Sequence, residues 1–322
     1  MTTLHPSIAG LATAEAGFPV RVTPSWRPEA AARLVSAGER PDPVAGERFL
    51  AYASDNRITL DHWWMVTDRR GEILGCAIAV PNPGRTAMVF ASRGVRDGRA
   101  EATVRAVDRA CQDACEAGAR LAQALIEPRE RAERRVLEQA GFSTLAMLSY
   151  MERRHERHDA KSHPEPALGG SISLEPFSRA ARMDFVEALG ASYEGTLDCP
   201  GLSGLRDPSD VLTGHQATGC FEPSLWTLLR VDGRPSGVLL LNPTPRQGSI
   251  ELVYLGLAPW ARGRGLGSAL LRHGLRQTAS RSERTLSLAV DERNEPARRL
   301  YARHGFTCVL RRQALIRAME TS

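Results

Sequence analysis

Arg262-Gly263-Arg264-Gly265-Leu266-Gly267 is the part of this sequence best suited to hold an anion. It follows an apolar strand pattern, Ile250 to Pro259, and opens an amphipathic helical pattern, Ser268 to Thr278. A glycine-rich turn at a helix start aims several backbone N–H groups at one ligand, and the helix dipole adds to their pull. A pyrophosphate matches that many converging donors. The glycines let the main chain come close, and Arg262 and Arg264 add cationic donors at the rim. Two other phosphate loops fit poorly. A dinucleotide-binding turn sits early in its unit with an acidic residue on the next strand, whereas this loop comes late. A Walker loop needs Gly-Lys before Ser or Thr, and the one lysine, Lys161, lies elsewhere. The six cysteines make no CxxC pair and no zinc spacing with histidine, so no metal is expected.

The stretch Leu257 to Gly267 (LAPWARGRGLG) resembles the pyrophosphate signature Arg/Gln-x-x-Gly-x-Gly/Ala of the GNAT superfamily of acetyl-CoA-dependent N-acyltransferases. Asn294 to Tyr301 (NEPARRLY), followed by Gly305-Phe306, resembles the same family's Asn-x-x-Ala-x-x-x-Tyr motif. The resemblance covers residues 172–320 with motifs and 18–154 by pattern alone. It implies a strand, Leu252–Leu257, splayed from its neighbour so that the pantetheine of acetyl-CoA bonds to the backbone of Leu255, Gly256 and Leu257. The amides of Arg262, Gly263, Arg264, Gly265, Leu266, Gly267 and Ser268 would hold the pyrophosphate. Asn294 and Ala297 would fix the next loop beside the pantetheine arm. Tyr301 would give a proton to the departing thiolate, a task suited to a phenol of pKa near 10. Glu251 would take the proton of the incoming ammonium. Period-2 alternation places Glu251, Val253, Leu255 and Leu257 on one face. Ser192–Gly204 falls where the family has a variable acceptor loop, which makes Tyr193, Glu194 and Asp198 acceptor-binding candidates. Direct attack in a ternary complex is expected over an acyl-Cys199 route.

Two copies of one unit must position these groups. Trp64 to Pro83 aligns with Trp226 to Pro245 at an offset of 162, each reading strand, hairpin turn, strand, Pro-x-Pro. Leu121 to Phe142 matches Leu286 to Phe306, each reading strand, turn, helix, Gly-Phe, with the Gly-Phe ends at an offset of 164. Gly141 and Gly305 sit where a helix end needs a left-handed residue. The expected fold class is therefore α/β (mixed α+β), with tandem GNAT-like domains at 18–154 and 172–320. Each is a mixed central sheet flanked by helices, and 155–171, rich in Pro, Gly, His and charge, is the linker. The first copy has lost the chemistry. Leu137 stands for Tyr301, Glu130 for Asn294, Glu133 for Ala297, Glu101 for Gly265 and Thr103 for Gly267, with Ala87 or Val89 in place of Glu251. The first copy is thus expected to be a catalytically silent scaffold.

Composition narrows the classes further. The 322 residues carry 42 basic and 37 acidic side chains, a formal charge of +5, and the two signs alternate without a basic stripe. Nucleic acid is therefore not an expected partner. No apolar run approaches a membrane span and the first residues show no secretion signal, so a cytoplasmic protein is expected. The expected partner is a small-molecule or peptide amine, and the internal pseudo-dimer makes a monomer sufficient. The rival readings are a non-enzymatic acyl-CoA-binding or regulatory module, or an N-acyltransferase with a longer acyl donor.

Overall fold

The computed structural model describes residues 17–36, 38, 40–93, 97–154, 169 and 171–320. The expected linker therefore lies almost wholly outside the described residues. Twelve strands form one sheet in the order β1-β2-β3-β4-β5-β12-β6-β11-β10-β9-β8-β7. The first half supplies β1 (Val20–Arg21), β2 (Trp63–Thr67), β3 (Ile73–Asn82), β4 (Thr86–Ala91), β5 (Leu121–Ile126) and β6 (Ser143–Arg154). The second supplies β7 (Ile172–Pro176), β8 (Trp226–Val231), β9 (Arg234–Thr244), β10 (Ser249–Leu257), β11 (Thr285–Asp291) and β12 (Thr307–Ala318). The fold is the expected mixed α/β pair of like units, and the expected hairpins are β2–β3 and β8–β9.

The sequence repeat did not reveal an exchange of strands at the centre. Strand β6 ends the first half but lies against β11 of the second, pairing Tyr150 with Ala289 and Leu148 with Asp291. Strand β12 lies against β5, pairing Ala314 with Leu125. The exchanged strands also pair with each other, so they hold the two halves in one hydrogen-bonded sheet.

Helices cover both faces. On one lie α1 (Arg27–Leu34), α2 (Pro43–Asp55), α5 (Arg182–Ser192) and α6 (Pro208–Gln216). Here Ala30, Ala31 and Leu34 pack on Trp63 and Ile78, while Phe185, Leu189 and Leu212 pack on Trp226 and Leu240. The other face carries α3 (Asp97–Glu116), α4 (Arg131–Gln139), α7 (Leu266–Thr278) and α8 (Glu295–Arg303). Helix α3 presents a stripe of fully buried alanines, Ala102, Ala106, Ala110 and Ala114, that seats it close on the sheet. A Cβ added at Gly75 would lie 2.5 Å from the Thr103 backbone nitrogen, so glycine is required there. Helix α7 is instead a Leu-rich helix, burying Leu266, Leu270, Leu271 and Leu275. It begins two residues earlier than the hydrophobic pattern implied. Gly141 and Gly305 end α4 and α8 with φ of +80° and +84°, the left-handed conformation expected of them.

Candidate active site

Strand β10 pairs with β11 in parallel only over Ser249–Glu251 against Thr285–Ser287, and beyond that the two diverge. On its other edge β10 stays paired with β9 to Leu257, with a register shift between Leu252 and Tyr254. That shift is a bulge: it bends the strand away from β11 and leaves backbone groups facing the gap. The gap is a cavity of about 470 Å³, within the range of small-molecule sites. Its wall includes Leu255, Gly256 and Leu257 of β10, Ala289 and Val290 of β11, and Asn294, Ala297 and Tyr301.

The bulge also corrects the alternation read from sequence. Leu255 and Leu257 pack with the cluster under α7 and α8, whereas Val253 joins the cluster under α5 and α6. Glu251 shares the α5/α6 face with Val253, pairs laterally with Ser287 and Asn242, and is not part of the cavity wall. Burial raises its carboxyl pKa. Gly256 is required by its neighbour: an added Cβ would lie 2.5 Å from the Tyr254 ring and 2.7 Å from Ser192 Oγ.

The loop after β10 makes the cradle its composition suggested. Gly263 and Gly265 have φ of +72° and +74°, and Gly265 begins α7 with no side-chain cap. Helix geometry leaves the amides of Leu266, Gly267 and Ser268 without intrahelical acceptors, next to the cavity that Gly263 and Gly267 line. No acidic residue occupies the first turn of α7, so the positive helix end is uncompensated. Arg264 is exposed beside it.

Arg262 departs from the expectation. Its guanidinium turns back and donates to the carbonyls of Ser192 at 2.9 Å, Gly195 at 3.2 Å and Leu257 at 3.0 Å. It fastens the end of β10 to the loop after α5, and so shapes the site by holding its walls rather than by offering charge at the rim.

Asn294 caps α8, its Oδ1 accepting from the Ala297 amide at 3.2 Å, and its side chain also bonds Asp198. Asp198 accepts from the Asp291 amide at 2.9 Å, and the Cys199 amide donates to Asp291 Oδ2 at 3.3 Å. Burial, then the nearby Asp291 carboxylate, push the Asp198 pKa up against these hydrogen bonds. Asp198 thus lines the cavity while locking its loop. The other two acceptor candidates stand apart from the wall: Glu194 is exposed, and Tyr193 packs on Tyr254 with ring centroids 5.5 Å apart.

Tyr301 is 5% exposed, edge-on to Phe306 at 5.8 Å, and faces the cavity. Burial, then Asp198 and Tyr254, hold its pKa above the ordinary phenol value. It is a fully protonated donor at neutral pH. The Cys199 thiol is pushed up to about 12 by burial and by Asp198 and Asp291, so it is no thiolate. Among the described residues no His/Cys/Asp/Glu group is arranged to hold a metal, and no helix is long and apolar enough to cross a membrane.

Sequence reasoning missed Tyr254. Its hydroxyl meets Ser192 Oγ at 2.8 Å, and its ring stacks on His215 at 5.6 Å. No motif position marks it in the sequence.

The first half is built differently at the equivalent place. Its β4–β5 pairing is just as short, Thr86–Met88 against Leu121–Gln123, but β3–β4 runs without a bulge. The register puts Met88, not Ala87 or Val89, where Glu251 stands, since Met88 pairs with Gln123 and Val80. Leu137 is sealed in the core under α3 and α4. Glu130, at Asn294's place, bonds no amide as a cap and pairs with Arg93 at 3.1 Å.

Residues 198–306 match the model of the acetyltransferase (GNAT) family. The second half carries a GNAT domain. Relatives in sequence include proteins named mycothiol acetyltransferase. That of Beutenbergia cavernae is 39% identical over 92 residues, 28% of this chain and 30% of the relative. That of Kineococcus radiotolerans is 34% identical over 169 residues, 52% of each. The chain therefore spans about half or less of the curated relatives it matches. A GCN5-related N-acetyltransferase from Sphaerobacter thermophilus superposes with a TM-score of 0.58 at 22% identity, covering 95% of this chain and 96% of that one. A tandem GNAT protein of the clavulanic acid biosynthesis pathway gives 0.51 at 16% identity, covering 96% and 100%. Those likenesses extend through both halves and establish the tandem fold.

Proposed function

We propose that this chain is an acetyl-CoA-dependent N-acetyltransferase whose second half carries the chemistry and whose first half is a catalytically silent scaffold. The observation that carries it is the bulged, splayed β10 opening onto a cavity with an uncapped glycine-rich helix start at one end and Tyr301 in its wall. Acetyl-CoA fits this donor set: unpaired strand backbone for the pantetheine amides, and helix amides with left-handed glycines for the pyrophosphate. When bound it supplies an activated thioester.

The chain's own residues do the rest. Leu255 and Leu257 offer main-chain groups along the gap. Asn294 and Asp198 fix the loops on either side, and Arg262 holds the end of β10 in its splayed position. Glu251 lies outside the cavity wall, on the α5/α6 face of β10, so it receives a proton from an acceptor ammonium that enters on that face, and activity rises as pH climbs through its raised pKa. Tyr301 holds a proton for the departing thiolate as the new amide bond forms. The acceptor is a primary amine, which attacks directly, since the Cys199 thiol stays protonated. The first half lacks the bulge, the glycines and the phenol, and its strand β6 supports β11 of the other half's cleft.

The test is thiol release from acetyl-CoA with a panel of amines, comparing wild type with Tyr301→Phe. A fall of about 10²–10⁴-fold in kcat with unchanged acetyl-CoA binding is expected. Undiminished turnover removes Tyr301 as the acid, and binding without turnover on any amine favours the regulatory-module reading.

A further inference from the structure

The strand exchange brings a first-half residue beside β11, a strand that lines the second half's cleft. On the α5/α6 face, Glu251 of β10 pairs laterally with Ser287 of β11, and one step along β11 Ala289 pairs with Tyr150 of β6. Ala289 lines the cavity. The β11 side chains between Glu251 and Tyr150 are therefore a serine and an alanine. Strands two apart lie about 10 Å from one another; directly across Ser287 from Glu251 stands Glu152, and Tyr150 lies two residues along β6 on the same face, close enough for the Glu251 charge to act on it. The charges acting on the Tyr150 hydroxyl are those of Glu251 and Arg312, and its pKa is raised chiefly by burial. It is a hydrogen-bond donor at neutral pH.

The molecule contains its own control for this arrangement. The pseudo-symmetric triple in the other half is β4-β5-β12. There Met88 replaces Glu251, Gln123 and Leu125 replace Ser287 and Ala289, and Ala314 replaces Tyr150, in matching register. The carboxylate, the phenol and the small β11 side chains are lost together, although Tyr150 comes from the half that has lost every other chemical group.

We propose that Tyr150 orients the acceptor: its hydroxyl donates to an oxygen placed a few bonds from the acceptor nitrogen. This rests on the N-acetyltransferase reading and narrows its substrate class to primary amines carrying a nearby carbonyl or hydroxyl. The half without the chemistry thereby supplies part of the active site.

The experiment compares an α-amino amide, glycinamide, with propylamine, which lacks the oxygen, at equal concentrations of free amine. Wild type is expected to favour glycinamide in kcat/KM by about 10-fold, the scale of one hydrogen bond left unmade. Tyr150→Phe is expected to lose that preference, with KM for acetyl-CoA unchanged and kcat/KM falling on glycinamide by about 10-fold more than on propylamine. A preference retained by Tyr150→Phe, or absent from wild type, overturns the proposal. Should Tyr150→Phe not fold, Tyr150→Met is read in its place. The same pair of amines is titrated calorimetrically into the CoA-loaded chain. If neither is acetylated, the enzymatic reading is decided by the wider amine panel, while the binding preference and its loss in the variant still decide the role of Tyr150.

Discussion

Replacing Arg262 with lysine keeps the positive charge at the mouth of the cavity and removes the fork that reaches three carbonyls. Guanidinium donates to Ser192, Gly195 and Leu257 oxygens at 2.9, 3.2 and 3.0 Å. A lysine ammonium keeps one such bond, because its stem cannot span all three. Each charge-assisted bond contributes about 1.5–3 kcal/mol, and the two freed carbonyls recover part of that from water at the half-buried edge. The net loss expected for Arg262→Lys is therefore about 2–4 kcal/mol, or roughly 3–6 °C in melting temperature for a chain of this size. Without its clamp the end of β10 relaxes toward closure of the splay, so acetyl-CoA affinity is expected to fall by about 10-fold or more. Differential scanning calorimetry gives the first quantity and isothermal titration with acetyl-CoA the second. A lysine variant that melts with wild type and binds acetyl-CoA normally would refute the clamp and restore Arg262 to a purely electrostatic role.

Three other perturbations have definite expected outcomes. His215 has its pKa lowered to about 4 by burial and by Arg206, and its Nε2 has no hydrogen-bond partner. The unfolded chain takes up that proton near pH 6.5, so stability is full above about pH 6.5 and falls toward pH 4, by about 3 kcal/mol. His215→Phe is expected to lose less stability than wild type between those limits in urea titrations, and an equal loss would be contrary. Gly256→Ala drives a Cβ against the Tyr254 ring and Ser192 Oγ. It should cost about 1–3 kcal/mol and weaken acetyl-CoA binding, which melting curves and titration will read. Asn294→Asp keeps the helix-capping oxygen but sets a second carboxylate beside Asp198. Its turnover should drop relative to wild type as pH rises, and a pH-independent ratio would contradict the pairing.

The groups legible in the sequence are those whose signals are local. The left-handed glycines at 141 and 305 and the two hairpins each follow from a few adjacent residues. The bulge at Val253 was not legible, because no Gly or Pro marks it; beside it Tyr254 turns toward Ser192 and His215. Alternation counted through it therefore put Glu251 on the wrong face relative to Leu255. The exchange of β6 and β12 was hidden for a deeper reason. Two copies of one strand pattern satisfy the same edge, and only the pairing of whole strands distinguishes them. Arg262 was read by its charge when its planar fork decides its partners.

That the second half alone holds acetyl-CoA is tested most directly by titrating the donor into wild type and Gly265→Glu. The substitution puts at position 265, where φ is +74°, the acidic residue the first half carries at Glu101. One site per chain in wild type, and none in a variant that still melts cooperatively, is the expected result. Two sites in wild type, or unchanged affinity in Gly265→Glu, would contradict it.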